Sequence, residues 1–413
     1  MHAPTHPRVF ETDLAQRRDA RGRSCSWQTV AVVLILTLTA EVHGARGLPA
    51  PHDIDPSPDH PRNTEGSFVT LKSGRILFEY SQFSGGAADF DRSEIAEIHS
   101  DNQGRTWSAP RVVVETGEYQ NIMSVSLLRL ASGRLARFHA VKKSRLRDCH
   151  VVMSTSSDEG QTWTPPRPIH DAPGYFVLNN DRVIQTRSGR LLVPVAYHRL
   201  KGAGDDWNSW DSRGITLWYY SDDEGITWKE SDNWWALPVA SRSGLQEPGV
   251  VELKDQEIYA WSRTDRGAQF QYWSTDNGKS FGPPERSPFV TPNSPLSIKR
   301  DPGTNLLMAV FNDHSGRVLV PEAANQRAPL VISFSSDEAR TWGPPLVIES
   351  DLAGWFCYTA IHFTEDAALL AYVAGNNDLG RLSRLRIRRI PFDWLGLDGA
   401  KQQWIHNRQN SSK

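Results

Sequence analysis

Cysteine is nearly absent from this chain, with three residues in 413. So few thiols exclude a disulfide framework, and stability has to come from a buried core. A surplus of charge of either sign is also missing: 46 Lys and Arg face 48 Asp and Glu, for a formal net charge of −2. That balance removes the electrostatic footprint of a nucleic-acid binder or of a protein held on an anionic membrane. No sustained 3.6-residue periodicity runs through the body, which argues against a helical architecture. What is present is apolar and aromatic: 38% hydrophobic residues and 15 Trp, enough for a large packed core.

The most apolar run is "VAVVLILTLTA", Val30–Ala40, with Arg17, Arg18, Arg21 and Arg23 before it and Gly44 and Ala45 after it. Its 11 residues suit the apolar stretch of an export signal, whereas a spanning helix needs about 20. We therefore expect residues 1–46 to be a cleaved export signal, with an uncleaved membrane anchor as the alternative. The mature protein is then secreted or periplasmic, without a membrane span. Cys25 precedes the apolar run, so Cys149 and Cys357 remain after cleavage. Two buried thiols are expected, a single bridge being the other arrangement.

One octet is written five times: "SDNQGRTW", "SSDEGQTW", "SDDEGITW", "STDNGKSF" and "SSDEARTW". The copies end at residues 107, 163, 228, 281 and 342, so they are separated by 56, 65, 53 and 61 residues. A loose period of about 50 residues is the signature of a propeller or an array. Between the copies lie β-branched and aromatic runs such as "GRLLVPVAY" and "ITLWYYS", punctuated by Gly and Pro, which is the pattern of several short strands per repeat. A second repeat, "LKSGRILFEY", "LASGRLARFH", "TRSGRLLVPV" and "LKDQEIYAWS", writes one strand–turn–strand four times. The octet itself demands a tight turn. Its Asp accepts hydrogen bonds from nearby backbone N–H groups, its Gly supplies positive φ, and its Trp covers the reversal. A calcium loop is excluded because alternating oxygen ligands and a closing Glu are absent. We expect an all-β fold, a six-bladed β-propeller of four-stranded antiparallel blades over residues 61–391. A linker over 47–60 precedes it, a strand from near residue 68 closes it, and a tail follows over 392–413.

Repeated Ser-x-Asp-x-Gly-x-Thr-Trp boxes at this spacing resemble the sialidase (neuraminidase) superfamily, and the resemblance spans about residues 60–390. It implies an exo-acting glycoside hydrolase for a terminal acidic sugar: sialic acid, a related keto-acid sugar or a uronic acid. By that resemblance, Glu247 and Arg263 in "QEPGVVELKDQEIYAWSRTDRG" are the base and a carboxylate-binding arginine. Arg327 in "NQRAPLVISFSSDEARTW" is a second clamp arginine, and Tyr358 in "GWFCYTAI" is the nucleophile. The chemistry is coherent. A keto-acid sugar carries its carboxylate on the anomeric carbon, so a neutral Tyr hydroxyl activated by a Glu avoids the repulsion that a carboxylate nucleophile meets. Planar guanidinium forks hold the sugar carboxylate by paired hydrogen bonds. An acid/base is expected from the first repeat, where "GGAADFDRSEIAEI" offers Asp89 and Asp91.

The chain departs from the pattern at its front. Sialidases place an Arg-Ile-Pro there, and this chain has "PRNTEGSFVTLKSG", with Arg62 early and Glu65 near the arginine's place. The polar island "VLNNDRVIQ" adds Asp181 and Arg182 as candidate sugar-binding groups, against a structural role as polar caps. Lys142, Lys143 and the late "RLSRLRIRR" run read as solvated faces or edge protection. No cofactor and no metal are expected. The partner is a glycan substrate met by a monomer, and the rival function is a glycan-binding propeller that does not cleave.

Overall fold

The computed structural model of the chain describes residues 47–397. The export segment expected over residues 1–46 and most of the expected tail lie outside the described residues. Among the described residues the regular structure is β throughout, apart from one 3-10 turn at Lys254–Gln256. No helix among them is long and apolar enough to cross a membrane.

The strands form five sheets. The first runs Arg62–Thr70, Ile76–Phe83, Ser93–Ser100 and Arg111–Val114, each antiparallel to the next. Two later sheets repeat the arrangement, from Gln246–Glu252 to Glu285–Arg286 and from Ser297–Arg300 to Leu346–Glu349. The nine-stranded sheet holds two such antiparallel sets, one beginning at Asn121–Arg129 and the other containing Leu191–Leu200 and Trp210–Ser221. They meet at a single parallel pair, Tyr175 with Cys149. The last sheet, from Trp355–Phe363 to Leu385–Pro391, takes its outermost strand from the other end of the chain, His52–Ile54. This corrects two expectations. The segment expected as a linker supplies the outermost strand of the last sheet, and Phe68, near which that strand was expected, lies in the first sheet. The strand pairs as a backbone ladder and is reinforced by charge: Arg386 grips Asp53 at 2.7 and 2.8 Å, and Arg384 reaches Asp55 at 2.6 Å. The late arginine run is therefore largely paired, Arg388 being buried against Glu349.

Apolar clusters join each sheet to the next. Leu77 and Ile95 pack with Ile122 and Leu135, Leu192 and Trp218 with Val250 and Tyr272, and Tyr259 and Trp261 with Ile298 and Phe311. Met308 and Val310 pack with Phe356 and Leu370, and Phe68 and Phe78 pack with Ala360 and Leu369, so the last sheet meets the first.

Each octet is a locked turn, as its residues require. Asp158 accepts from the Thr162 backbone N–H at 2.9 Å and the Thr162 hydroxyl at 2.6 Å, while Gly160 at φ 84° donates to Ser156. The Trp163 indole then donates to the Gly160 carbonyl at 3.1 Å. In the first copy Asn102 stands in the place of the Asp: its Oδ1 accepts from the Thr106 N–H at 2.9 Å, and its amide N–H donates to the Thr106 hydroxyl at 2.8 Å, the reverse of the hydroxyl bond in the Asp copies. These turns lie away from the cavity described next, so their function is structural.

Candidate functional site

Four strands that lead their sheets carry an irregularity at the same level. Register slips between Thr64 and Ser67, Met123 and Ser126, Gln246 and Gly249, and Cys357 and Ala360. A residue with positive φ sits at each slip: Glu65 (51°), Ser124 (64°), Glu247 (47°) and Tyr358 (58°). Such bulges re-aim a side chain that regular pleating would bury between sheets. All four side chains line one cavity of about 230 Å³, together with Asp89, Lys142, Arg263 and an aromatic wall that includes Tyr175, Trp207 and Trp210.

At the centre, the Tyr358 hydroxyl donates to Glu247 Oε1 at 3.0 Å. The same oxygen accepts from Arg263 Nη1 at 2.5 Å, and Arg263 Nε is fixed by Asn293 Oδ1 at 2.7 Å. The bulge explains the closeness, because Gln246 pairs with Arg263 across the strands and Glu247 is the extra residue. Burial, and after it the Glu247 carboxylate, push the Tyr358 phenol well above its usual range. The phenol therefore loses its proton only as a partner takes it. Glu247 Oε2 is buried without a protein partner, as are Nε and Nη1 of Arg327. The Arg327 guanidinium lies 5.4 Å from the Tyr358 ring centroid. These buried donors and acceptor stand beside Tyr358 with hydrogen-bonding capacity left over.

Arg62 forms a second centre. It is 1% exposed, and its guanidinium lies 4.5 Å from the Phe83 ring. Nη1 donates to Asp89 at 2.6 Å and to the Ala87 carbonyl at 3.1 Å, and Nη2 donates to Glu65 at 3.3 Å. Glu65 also accepts from the Ser124 hydroxyl. Burial pushes the Glu65 carboxyl up to about 7, against the pull of Arg62 and Ser124. Asp89 goes the other way: although it is partly desolvated, the Arg62 and Lys142 cations hold it down at about 2. Its side chain remains 62% exposed, on the glycine-bearing loop above Arg62.

The structure thus brings together Glu65, Asp89, Glu247, Arg263 and Tyr358, with Arg62 and Arg327 directly behind them. Three other candidates lie elsewhere. Asp91 turns back into its own loop and accepts from the Ala88 N–H at 2.8 Å, which leaves Asp89 as the carboxyl facing the cavity. Asp181 is consumed by Lys299 (2.8 Å), the Ser67 hydroxyl (2.9 Å) and the Ile361 N–H (2.9 Å), an ion pair that pins three sheets together. Arg182 donates to Ser297 and to the Leu296 carbonyl. These two are caps inside the fold, held by an ion pair for Asp181 and by a hydroxyl and a carbonyl for Arg182. Lys142, expected on a solvated face, is 4% exposed and lines the cavity. Lys143 is exposed. Ser124, Asn293, His198 and the Trp207–Trp210 pair were not anticipated, and nothing in their local sequence distinguishes them from strand-end residues. Cys149 and Cys357 are free and buried in separate places. Among the described residues no group of three or more His, Cys, Asp and Glu side chains could hold a metal ion.

Comparison with known proteins bears on the family and the fold. A family model described as a BNR repeat-like domain matches residues 80–371. Mouse Sialidase-4 is 34% identical over 158 residues, covering 36% of this chain and 31% of that protein. The sialidase of Micromonospora viridifaciens is 26% identical over 333 residues, covering 71% of this chain and 47% of that one. The chain thus spans about half or less of the length of these relatives. Among solved structures, Trypanosoma rangeli sialidase superposes with a TM-score of 0.62 at 16% identity, covering 83% of this chain and 56% of that one. A Dyadobacter fermentans protein of unknown function gives 0.63 at 17% identity, covering 83% and 99%. The fold shared with them is a β-propeller.

Proposed function

The chain belongs to the sialidase (BNR-repeat) superfamily, and on that premise we propose that it is a six-bladed propeller that hydrolyses glycosides of a terminal acidic sugar. The substrate class is sialic acid, a related keto-acid sugar or a uronic acid, released from a glycan. The observation that carries the reading is the Tyr358–Glu247 hydrogen bond beside the unpaired donors of Arg327. Reading the nine-stranded sheet as two blades joined at Tyr175 and Cys149 gives six blades in all.

In this mechanism Arg263 and Arg327 receive the sugar carboxylate. The phenol oxygen of Tyr358 attacks the anomeric carbon while its proton passes to Glu247 Oε1. The bond to the leaving oxygen breaks, and Asp89, ionised while Arg62 holds it, takes up a proton from solvent once it is displaced from that fork and passes it to the leaving oxygen. Water then attacks the anomeric carbon of the glycosyl–tyrosine intermediate, with Asp89 now taking the proton and Tyr358 recovering its own from Glu247. Asp89 has to leave Arg62 for this, and the substrate carboxylate is the group able to take its place on the fork. The export segment belongs to the same reading, since glycan substrates of this kind are met outside the cytoplasm.

The test is turnover of 4-methylumbelliferyl glycosides of the three acidic sugars by the wild type, Tyr358→Phe and Glu247→Gln. A proton acceptor in place is worth roughly 10²–10⁴-fold, so both variants should lose at least about 100-fold in kcat. Full activity in both refutes the nucleophile pair. Tight binding of an acidic sugar with no cleavage of any glycoside would establish the rival, a binding propeller.

A further inference from the structure

The loop that carries Asp89 is fastened from below by a lysine that the mechanism above does not use. Lys142 ends the strand Leu135–Lys142, opposite Asn121 on one side and Cys149 on the other. Its Nζ donates to the Asp89 backbone carbonyl at 2.5 Å and lies 3.2 Å from Met123 Sδ, 6.0 Å from the Tyr175 ring centroid. Neither hydrogen-bond partner is a carboxylate. An ammonium that is 4% exposed and held by a carbonyl and a thioether is costly to bury. That cost is consistent with a use for this particular contact.

The loop is also held beyond Asp89, where Gln120 and Asn121 donate to the Phe90 and Asp91 carbonyls and Arg145 covers the Phe90 ring, and before and around Asp89 by three contacts. Arg62 donates to the Ala87 carbonyl and to the Asp89 carboxylate, and Asp91 accepts from the Ala88 N–H. The Asp89 carboxylate has to release Arg62 when it turns to the leaving group. Of the contacts on Asp89 itself, the one from Lys142 to its carbonyl is then left, because it does not involve the carboxylate. We propose that Lys142 is a positioning residue for Asp89: it holds the Asp89 backbone over the cavity while the side chain exchanges Arg62 for the leaving oxygen. This rests on Asp89 being the acid/base of the proposed hydrolase.

The charged groups that face Asp89 are Arg62, Lys142 and, at longer range, Arg263. Glu65 stands on the far side of Arg62. Lys142 is the one that contacts the loop backbone at Asp89, so its removal should impair delivery of the proton more than binding of the sugar.

The experiment compares wild type with Lys142→Met on two glycosides of the same sugar, one with a nitrophenol leaving group and one with an alkyl alcohol. A nitrophenolate leaves without a proton, whereas an alkoxide needs one. Lys142→Met should lose at least about tenfold more kcat/KM on the alkyl glycoside, and amide exchange across residues 84–92 should quicken. Equal losses on both substrates, or none, overturn the proposal. Should Lys142→Met fail to fold, exchange over the same loop is read in Lys142→Gln, and protection within about twofold of wild type overturns it. If the wild type cleaves neither glycoside, the hydrolase reading falls, and loop exchange alone then decides the tether.

Discussion

Glu65 is the residue whose chemistry the structure makes most measurable. It is 3% exposed, placed between Arg62 and Ser124, and burial lifts its carboxyl from 4.5 to about 7. Between those values the folded chain binds a proton that the unfolded chain has lost. Stability contributed by this proton is therefore fully present below about 4.5 and is lost as pH rises through about 7. Each tenfold difference in proton affinity between the folded and unfolded chains is worth about 1.4 kcal/mol, so the loss between pH 5 and pH 8 is about 2.5 kcal/mol. Glu65→Gln keeps the size and a donor-acceptor end but binds no proton. The stability difference between wild type and variant should consequently move by about 2.5 kcal/mol in the variant's favour from pH 5 to pH 8. Asp89, its neighbour across Arg62, titrates near 2 and does not intrude on that window. Guanidinium unfolding of both proteins at the two pH values measures the quantity, and a difference that stays constant refutes the buried, proton-binding Glu65. The same ionisation adds a negative charge to a cavity proposed for an anion. KM for an acidic glycoside should rise above about pH 7 in the wild type and stay flatter in Glu65→Gln.

Two further outcomes can be checked independently. Asp223 receives the Thr227 N–H (2.8 Å), the Thr227 hydroxyl and the Ser221 hydroxyl (2.7 Å), so Asp223→Ala should cost about 1–3 kcal/mol of stability. The folded fraction should keep the wild-type kcat, and a large loss of kcat at an unchanged Tm would place the octet in the active site instead. Sequencing the N-terminus of protein recovered from its native compartment should find cleavage between residues 40 and 50; an intact chain in the membrane fraction favours the anchor.

The all-β architecture was legible because its two carriers are local. A turn written with Asp or Asn, usually Gly, and a closing aromatic within eight residues leaves its mark wherever it occurs. Strand runs between turns need only β-branched and aromatic residues. The outermost strand of the last sheet was missed for the opposite reason. His52–Ile54 is three residues long, and its partners lie some 330 positions away, at Leu385, Arg386 and Ile387. Polar side chains were the harder class. Asp181 and Asp89 are both aspartates beside small or polar neighbours. What separates them is exposure: the carboxylate of Asp181, held by Lys299, is 6% exposed inside the fold, whereas that of Asp89, though paired with Arg62, stays 62% exposed at the cavity.

The bulges show how fold and site are coupled. Glu65, Ser124, Glu247 and Tyr358 hold left-handed backbone that costs a non-glycine residue about 1–3 kcal/mol each. None is followed by a sequence pattern that announces the slip, and Pro248 is the one residue after a slip that restricts the chain by itself. The conformations persist because the flanking ladders over-determine them: on either side of the Glu247 slip, Gln246 pairs with Arg263 and Gly249 with Trp261. Gly249 has to be glycine there, since a Cβ would lie 2.2 Å from the Trp261 ring. A rigid, aromatic-packed hairpin thus forces one residue out of the pleat, and that residue is the carboxylate that meets Tyr358. The propeller core and the proposed nucleophile pair are in this sense one structure, because the indole that fills the space between sheets also fixes where Glu247 points.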